Sequence, residues 1–266
     1  MGSTSRPSTG EIGDEMETPI ETPTETPIET SDDTPALATH TGSPGSWWRG
    51  RSGWWLKRAF DLSASVVGLL LLSPLLACVA LAIRIQMGAP VLFRQERPGY
   101  KGAPFVLRKF RTMRDVAEGE VWFRSDTERV TWLGRFLRRS SIDELPELLN
   151  VIRGEMSLVG PRPLLMEYLE KYTPEEMRRH DTPPGITGWA QVNGRQNIPF
   201  SERFRLDVWY VDHWKMALDF KILYRTFFDV FGRADVVVGQ DVDDVDDLGL
   251  SSDRVRAKNP SDGDDI

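Results

Sequence analysis

The acids and bases between residues 133 and 165 (LGRFLRRSSIDELPELLNVIRGEMSLVGPRPLL) have the types and spacing for phosphate chemistry. Ser141-Ile142-Asp143-Glu144 has the form of a capping box, with Ser141 at the N-cap and Glu144 at N3. Asp143 would then occupy the first turn of a helix, where free N–H groups and the positive helix end stabilise a carboxylate. A carboxylate kept ionised and exposed can act as a nucleophile. Arg135, Arg138 and Arg139 precede it, and their charge would draw in a phosphate that Asp143 would otherwise repel. The same acids would suit a helix start with no chemistry at all, and on local grounds alone that reading is the favoured one.

Further cations lie in β-prone and turn-rich stretches. In residues 90–113 (PVLFRQERPGYKGAPFVLRKFRTM), the runs Val91–Gln95 and Phe105–Phe110 flank a Pro/Gly-rich connection and predict a hairpin. Residues two apart on a strand share a face, so Lys109 and Arg111 are expected to point together at an anion; a solvated basic edge strand is the alternative. Arg162 stands between Pro161 and Pro163 in a stiffened loop. Thr182–Arg195 is rich in turn residues and ends in Asn193-Gly194-Arg195. No P-loop or GxGxxG is present, so ATP hydrolysis and dinucleotide redox chemistry lack support. The single cysteine, Cys78, excludes a disulfide framework, and His40, His180 and His213 share no metal-ligand spacing.

The elements that must position these groups show in the charge pattern. Over 266 residues the net charge is −7, but residues 1–46 hold one Arg against nine acids and residues 241–266 three bases against nine acids. The intervening 47–240 carries 29 bases and 22 acids, a basic core suited to phosphate, nucleic acid or a lipid surface. The Glu-Thr-Pro-x repeat at 17–30 prevents a helix and offers few apolar groups, so 1–46 is expected to be a disordered acidic tail. Residues 241–266 are expected to be a second one.

Leu62–Ile83 is free of charge, and as a helix would be about 33 Å long, enough for a hydrocarbon core of about 30 Å. Trp47, Trp48, Trp54 and Trp55 precede it among Arg49, Arg51, Lys57 and Arg58, a composition that suits headgroups. Ser73-Pro74 interrupts the run, and both flanks are basic, whereas a simple span puts only one flank in the cytoplasm. Because spanning helices tolerate proline, these features leave spanning and re-entrant topologies both open. Phe200–Phe231 is expected to be one helix, either an ordinary core helix or one lying in the membrane interface.

Taken in order, KRAFDLSASVVGLLLLSPLL, PVLFRQERPGYKGAPFVLRKFRTM, LGRFLRRSSIDELPELLNVIRGEMSLVGPRP, PPGITGWAQVNGR and LDVWYVDHWKMALDFKIL resemble the bacterial sugar transferase family, the monotopic phosphoglycosyl transferases. The strings cover roughly 57–235, and the ordered set is more specific than any one of them. The resemblance implies transfer of a sugar phosphate from a nucleotide-diphosphate sugar, by family habit a UDP-sugar, to a polyprenyl phosphate. It implies a phosphosugar intermediate on Asp143, with Glu144 helping to hold Mg2+. Lys109, Arg111, Arg138, Arg162 and Arg195 fall at basic positions that would bind substrate phosphates, and Ser73-Pro74 at the break of a re-entrant helix.

The expected architecture is therefore α+β and mostly helical. An interfacial segment (47–61) and a re-entrant membrane helix (62–84) lead into a catalytic domain (85–240) with a small β-hairpin and amphipathic interfacial helices around a helix-start active site. That domain would face the cytoplasm, with membrane lipid as a partner, no nucleic acid, and the assembly state, oligomers included, left open. A rival reading is a non-catalytic membrane scaffold for glycan-assembly enzymes, which would have no need of Asp143, Glu144 and the arginines together. A nucleic-acid binder would want stacking aromatics among its bases, whereas here the aromatics cluster in apolar runs.

Overall fold

The computed structural model describes residues 52–115, 129–194, 198–231 and 246–250. The tail 1–46, Trp47, Trp48, most of 241–266 and Arg195 lie outside the described residues. The fold is mostly helical, with one long apolar helix at its start and two small two-stranded sheets among the described residues.

Helix α1 runs from Trp54 to Met87, so it begins within the segment assigned above to the interface and continues through the apolar run. Pro74 does not end it. Proline has no N–H to give the carbonyl four residues back; Ser73 Oγ donates to that carbonyl, on Leu70, at 2.8 Å. One stripe of α1 is buried (Trp54, Lys57, Asp61 and Ser65, then Val79 and Ile83), while Leu70, Leu71 and Ile85 on other faces are 70–78% exposed. The helix is long and apolar enough to cross a membrane. Two cations of its basic flank are engaged inside the protein. Lys57 pairs with Asp219 at 2.6 Å, and Arg58 donates to the carbonyls of Val151 and Ile152.

The expected hairpin is present as β1 (Leu92–Pro98) and β2 (Pro104–Phe110), antiparallel, with Leu92 opposite Phe110 and Arg97 opposite Phe105. Phe105 and Leu107 are buried on one face, and strand alternation puts Lys109 on that face too. Helix α2 (Trp132–Arg139) is capped by the Thr131 side chain. Its Leu137 packs with Val79, Ile83 and Phe110, while Trp132 and Phe136 are exposed. A 3-10 turn, Ile142–Glu147, then leads into α3 (Leu148–Arg153).

Strand β3 (Ser157–Val159) pairs in parallel with β4 (Gly185–Thr187), and α4 (Pro174–Met177) lies between them in sequence. The pattern reading missed this sheet, because three residues are too few to display alternation. Helix α5 (Trp189–Gly194) follows.

The helix expected over 200–231 is two helices, α6 (Phe200–His213) and α7 (Met216–Phe231). Trp214 is extended between them. Its ring meets Trp54 edge-on at 6.0 Å and its Nε1 donates to Asp219, contacts that a sequence periodicity cannot anticipate. Phe220, Tyr224, Phe227 and Phe228 form an exposed aromatic stripe on α7.

Candidate active site

Asp143 and Glu144 sit in the 3-10 turn, and three elements bring cations to them. From β2, Lys109 Nζ reaches Glu144 Oε1 at 2.8 Å and Glu147 Oε1 at 3.0 Å. From the loop after β3, Arg162 Nη2 reaches Glu144 Oε1 at 2.6 Å. From α2, Arg138 is fixed by donating Nε to Thr112 Oγ1 at 3.0 Å, and its charge acts on Asp143.

The capping box does not form. Ser141 takes a left-handed conformation (φ 55°) in which its side chain makes no cap bond, and Glu144 is drawn away by Lys109 and Arg162. Nor is Asp143 an exposed carboxylate at a helix's positive end: it is buried, in a short 3-10 turn. Burial, followed by the neighbouring Glu144 charge, pushes its pKa up to about 6 against the pull of Lys109, Arg138 and Arg162. Glu144 goes the other way: burial would raise it, but Arg162 and Lys109 overcome that and hold it well below the usual carboxylate range. Two adjacent acids are thus driven apart, the pattern by which neighbouring carboxylates take different roles.

Arg111 does not join Lys109. Strand β2 ends at Phe110, and beyond it the alternation lapses. The Arg111 guanidinium donates to the carbonyls of Met113, Ala89 and Met87 and pairs with Asp115 at 2.7 Å. It therefore ties down the C-terminal end of α1, where unsatisfied carbonyls favour a cation.

Several positioning residues escaped the sequence reading. Asn150 is fully buried; its Oδ1 accepts from Arg108 N and its Nδ2 donates to Val106 O, so one amide docks α3 on the free edge of β2. Arg179 Nη2 donates to Arg162 O at 2.8 Å while paired with buried Asp207 at 2.6 Å. Glu147 is buried beside Lys109, and burial pushes its carboxyl up to about 7.

Among the described residues no group of three or more His, Cys, Asp or Glu side chains could hold a metal ion by itself. The donor set does suit a magnesium ion that arrives with a diphosphate. Such an ion needs only one or two carboxylates beside phosphate oxygens and water, and Glu144, held by Lys109 and Arg162 through Oε1, is a hard oxygen donor next to Asp143.

Residues 52–233 match the model of the bacterial sugar transferase family. The chain is 52% identical over 171 residues to a Bacillus subtilis protein described as an uncharacterized sugar transferase, EpsL, covering 64% of this chain and 85% of that one. It is 46% identical over 197 residues to an undecaprenyl-phosphate glucose phosphotransferase of Komagataeibacter xylinus, covering 66% of this chain and 36% of the relative. It is 41% identical over 186 residues to the UDP-glucose:undecaprenyl-phosphate glucose-1-phosphate transferase of Escherichia coli, covering 66% and 40%. The chain thus spans most of the first relative and well under half of the other two.

Proposed function

The chain belongs to the bacterial sugar transferase family, and from that premise we propose that it transfers a sugar 1-phosphate from a UDP-sugar to a polyprenyl phosphate, as an early membrane step of exopolysaccharide or related glycan synthesis. The observation that carries this reading is the cluster of Asp143 and Glu144 with Lys109, Arg138 and Arg162. Catalysis of phosphoryl transfer is mostly positioning and charge stabilisation, which this cluster supplies.

In the first step an ionised Asp143 oxygen attacks the sugar-linked phosphorus of the donor. The new carboxyl-oxygen–phosphorus bond forms as the bridging oxygen–phosphorus bond breaks, and UMP departs with that oxygen. In the second step an oxygen of the polyprenyl phosphate attacks the same phosphorus, the aspartyl bond breaks, and polyprenyl-diphosphate sugar is released with Asp143 regenerated. Arg138 and Arg162 grip phosphate oxygens and offset the charge of the incoming anions. Lys109 holds Glu144 in place. Mg2+, when bound through Glu144 and the donor's diphosphate, would neutralise the leaving nucleotide.

The membrane reading is monotopic. Both ends of α1 are pinned to one domain, the first through Lys57 and Asp61 and the second through Val79 and Ile83. Between Ser65 and Val79 no residue of α1 is buried. That interval is about 20 Å of helix, short of a core of about 30 Å. A re-entrant helix entering and leaving by the cytoplasmic face, with Ser73-Pro74 at its deepest point, accommodates this. The exposed Trp132 and Phe136 and the aromatic stripe of α7 would lie at headgroup depth. A soluble donor and a lipid acceptor could then meet at Asp143.

The direct test offers membranes carrying the protein a panel of UDP-sugars with undecaprenyl phosphate, and measures UMP. Release that needs both substrates supports the reading; no release with any donor removes it.

A further inference from the structure

Membrane insertion does not account for the buried polar groups of α1. Lys57 is 1% exposed; its Nζ donates to Asp219 Oδ2 at 2.6 Å and to the Val159 carbonyl at 2.9 Å. The Tyr210 hydroxyl reaches the same two residues, at 2.7 Å from Asp219 Oδ1 and 3.2 Å from Val159 O. One turn along α1, Asp61 accepts from Ser157 Oγ at 2.7 Å and from Leu158 N at 3.3 Å. All three residues of β3 are therefore held by α1. Apolar side chains of similar size would join a helix to a strand at least as stably as a buried ion pair does. What the polar grip adds is direction, because it fixes one particular carbonyl.

That carbonyl belongs to Val159, and the chain from it to Arg162 is stiff. Gly160 N bonds Thr187 O at 2.9 Å and Gly185 N bonds Pro161 O at 3.0 Å. A Cβ on Gly160 would lie 2.2 Å from Pro183 O, so the two segments are in the closest approach a backbone permits. Prolines on both sides of Arg162 restrict the loop further. A displacement of β3 therefore reaches Arg162, whose guanidinium stands 2.6 Å from Glu144.

We infer that Lys57 is a positioning residue for the transfer reaction: by fixing the Val159 carbonyl from the membrane helix, it sets where Arg162 stands against Glu144. The membrane helix is thereby part of the alignment of the site as well as its anchor, and the way it sits in the bilayer is felt at the donor's phosphates.

The test rests on the transferase reading and uses the full chain in lipid nanodiscs. Lys57→Met paired with Asp219→Asn removes both charges, so no orphan charge is left buried. The expected result is an unchanged unfolding midpoint and unchanged membrane retention, with kcat for UMP release down about tenfold or more, as small misplacements at a reacting centre cause. In an Arg162→Lys background the same pair should cost less than about threefold, because the residue it acts through is already compromised. Lys57→Arg should restore most of the rate. Should the paired variant fail to fold, Tyr210→Phe, which removes only the hydroxyl at Val159 and Asp219, carries the same cycle. Full kcat in a folded variant, or an equal loss in both backgrounds, overturns the positioning role while the wild-type rate upholds the transferase reading. A wild-type chain that releases no UMP overturns both.

Discussion

Arg162 Nη2 and Glu144 Oε1 stand 2.6 Å apart, and Lys109 Nζ reaches the same oxygen at 2.8 Å. Two cations on one carboxylate oxygen keep Glu144 ionised at any working pH, its pKa held well below the usual range. At the neighbouring Asp143 the pull of Lys109, Arg138 and Arg162 does not overcome burial and the Glu144 charge, and the carboxyl rises to about 6. The proposed roles call for this split, since a nucleophile needs basicity and a metal-facing acid a permanent charge.

Asp143→Asn should abolish turnover, by about a thousandfold or more for loss of a covalent nucleophile, while the protein folds and stays in the membrane. Burial raises the Asp143 carboxyl, so the neutral form is the one the fold prefers. The sign follows from linkage. With a folded pKa above the unfolded value of 3.8, the native state holds its proton longer, and relative stability is lost as pH rises through about 6. An amide does not suffer that loss. At pH 7.5 the variant should therefore melt no lower than wild type. Near-normal UMP release by a well-folded Asp143→Asn protein would remove the covalent mechanism.

The same shift sets an acid limb. Attack requires the ionised carboxylate, whose fraction falls below a pKa of about 6. A plot of log kcat/KM for the donor against pH should bend near 6 and drop about tenfold per unit below it. A profile that stays flat down to pH 5 would show that Asp143 ionisation does not limit the reaction.

Magnesium should be required, and chelation should stop turnover reversibly. Glu144→Gln should lower kcat by about a hundredfold or more, since it removes both a hard oxygen ligand and the anion that orders Lys109 and Arg162. Raising Mg2+ should recover part of that loss, which distinguishes a weakened metal site from a collapsed one. Undiminished rates in excess EDTA would take the metal out of the mechanism.

Arg111→Met separates two readings of one arginine. The resemblance implies substrate phosphate as its partner, whereas its guanidinium is spent on the Met87, Ala89 and Met113 carbonyls and on Asp115. The expected effect is a loss of stability of about 1–3 kcal/mol from buried acceptors left unpaired, with donor KM changed less than about twofold. A large rise in donor KM at unchanged melting temperature would return Arg111 to the phosphates.

What was legible in the sequence had local causes. Lys109 follows from strand alternation with Phe105 and Leu107, and the adjacent acids of the turn stand in plain view. The same arithmetic failed one step on, at Arg111, because nothing local announces that β2 ends at Phe110. Asp143 was expected at the positive end of a helix, a local effect, but it lies in a short 3-10 turn where burial by the rest of the domain raises its carboxyl. The division of 200–231 at Trp214, the burial of Lys57 against Asp219 and the support of Arg162 by Arg179 all depend on residues distant in sequence. Composition read Lys57 and Arg58 as headgroup cations; the domain uses them as internal fasteners.

Topology is the last expectation. Ser46 and Gln95 should lie on one side of the membrane, the cytoplasmic side. The wholly unburied interval of α1 between Ser65 and Val79 is about 20 Å of helix against a core of about 30 Å, and both ends of the helix are held by one domain, which under the proposed reaction meets a cytosolic nucleotide sugar. The acidic tail does not decide the matter, since acids contribute little to orientation. Cys78 is free and exposed, so it must first be replaced by alanine. Single cysteines at Ser46 and Gln95 are then challenged with a membrane-impermeant thiol reagent. In intact cells neither should react; after permeabilisation both should. Labelling at Ser46 alone in intact cells would establish a transmembrane span and refute the re-entrant helix. The chemistry at Asp143 would be untouched, because it depends on Lys109, Arg138 and Arg162 and not on the path the chain takes to reach them.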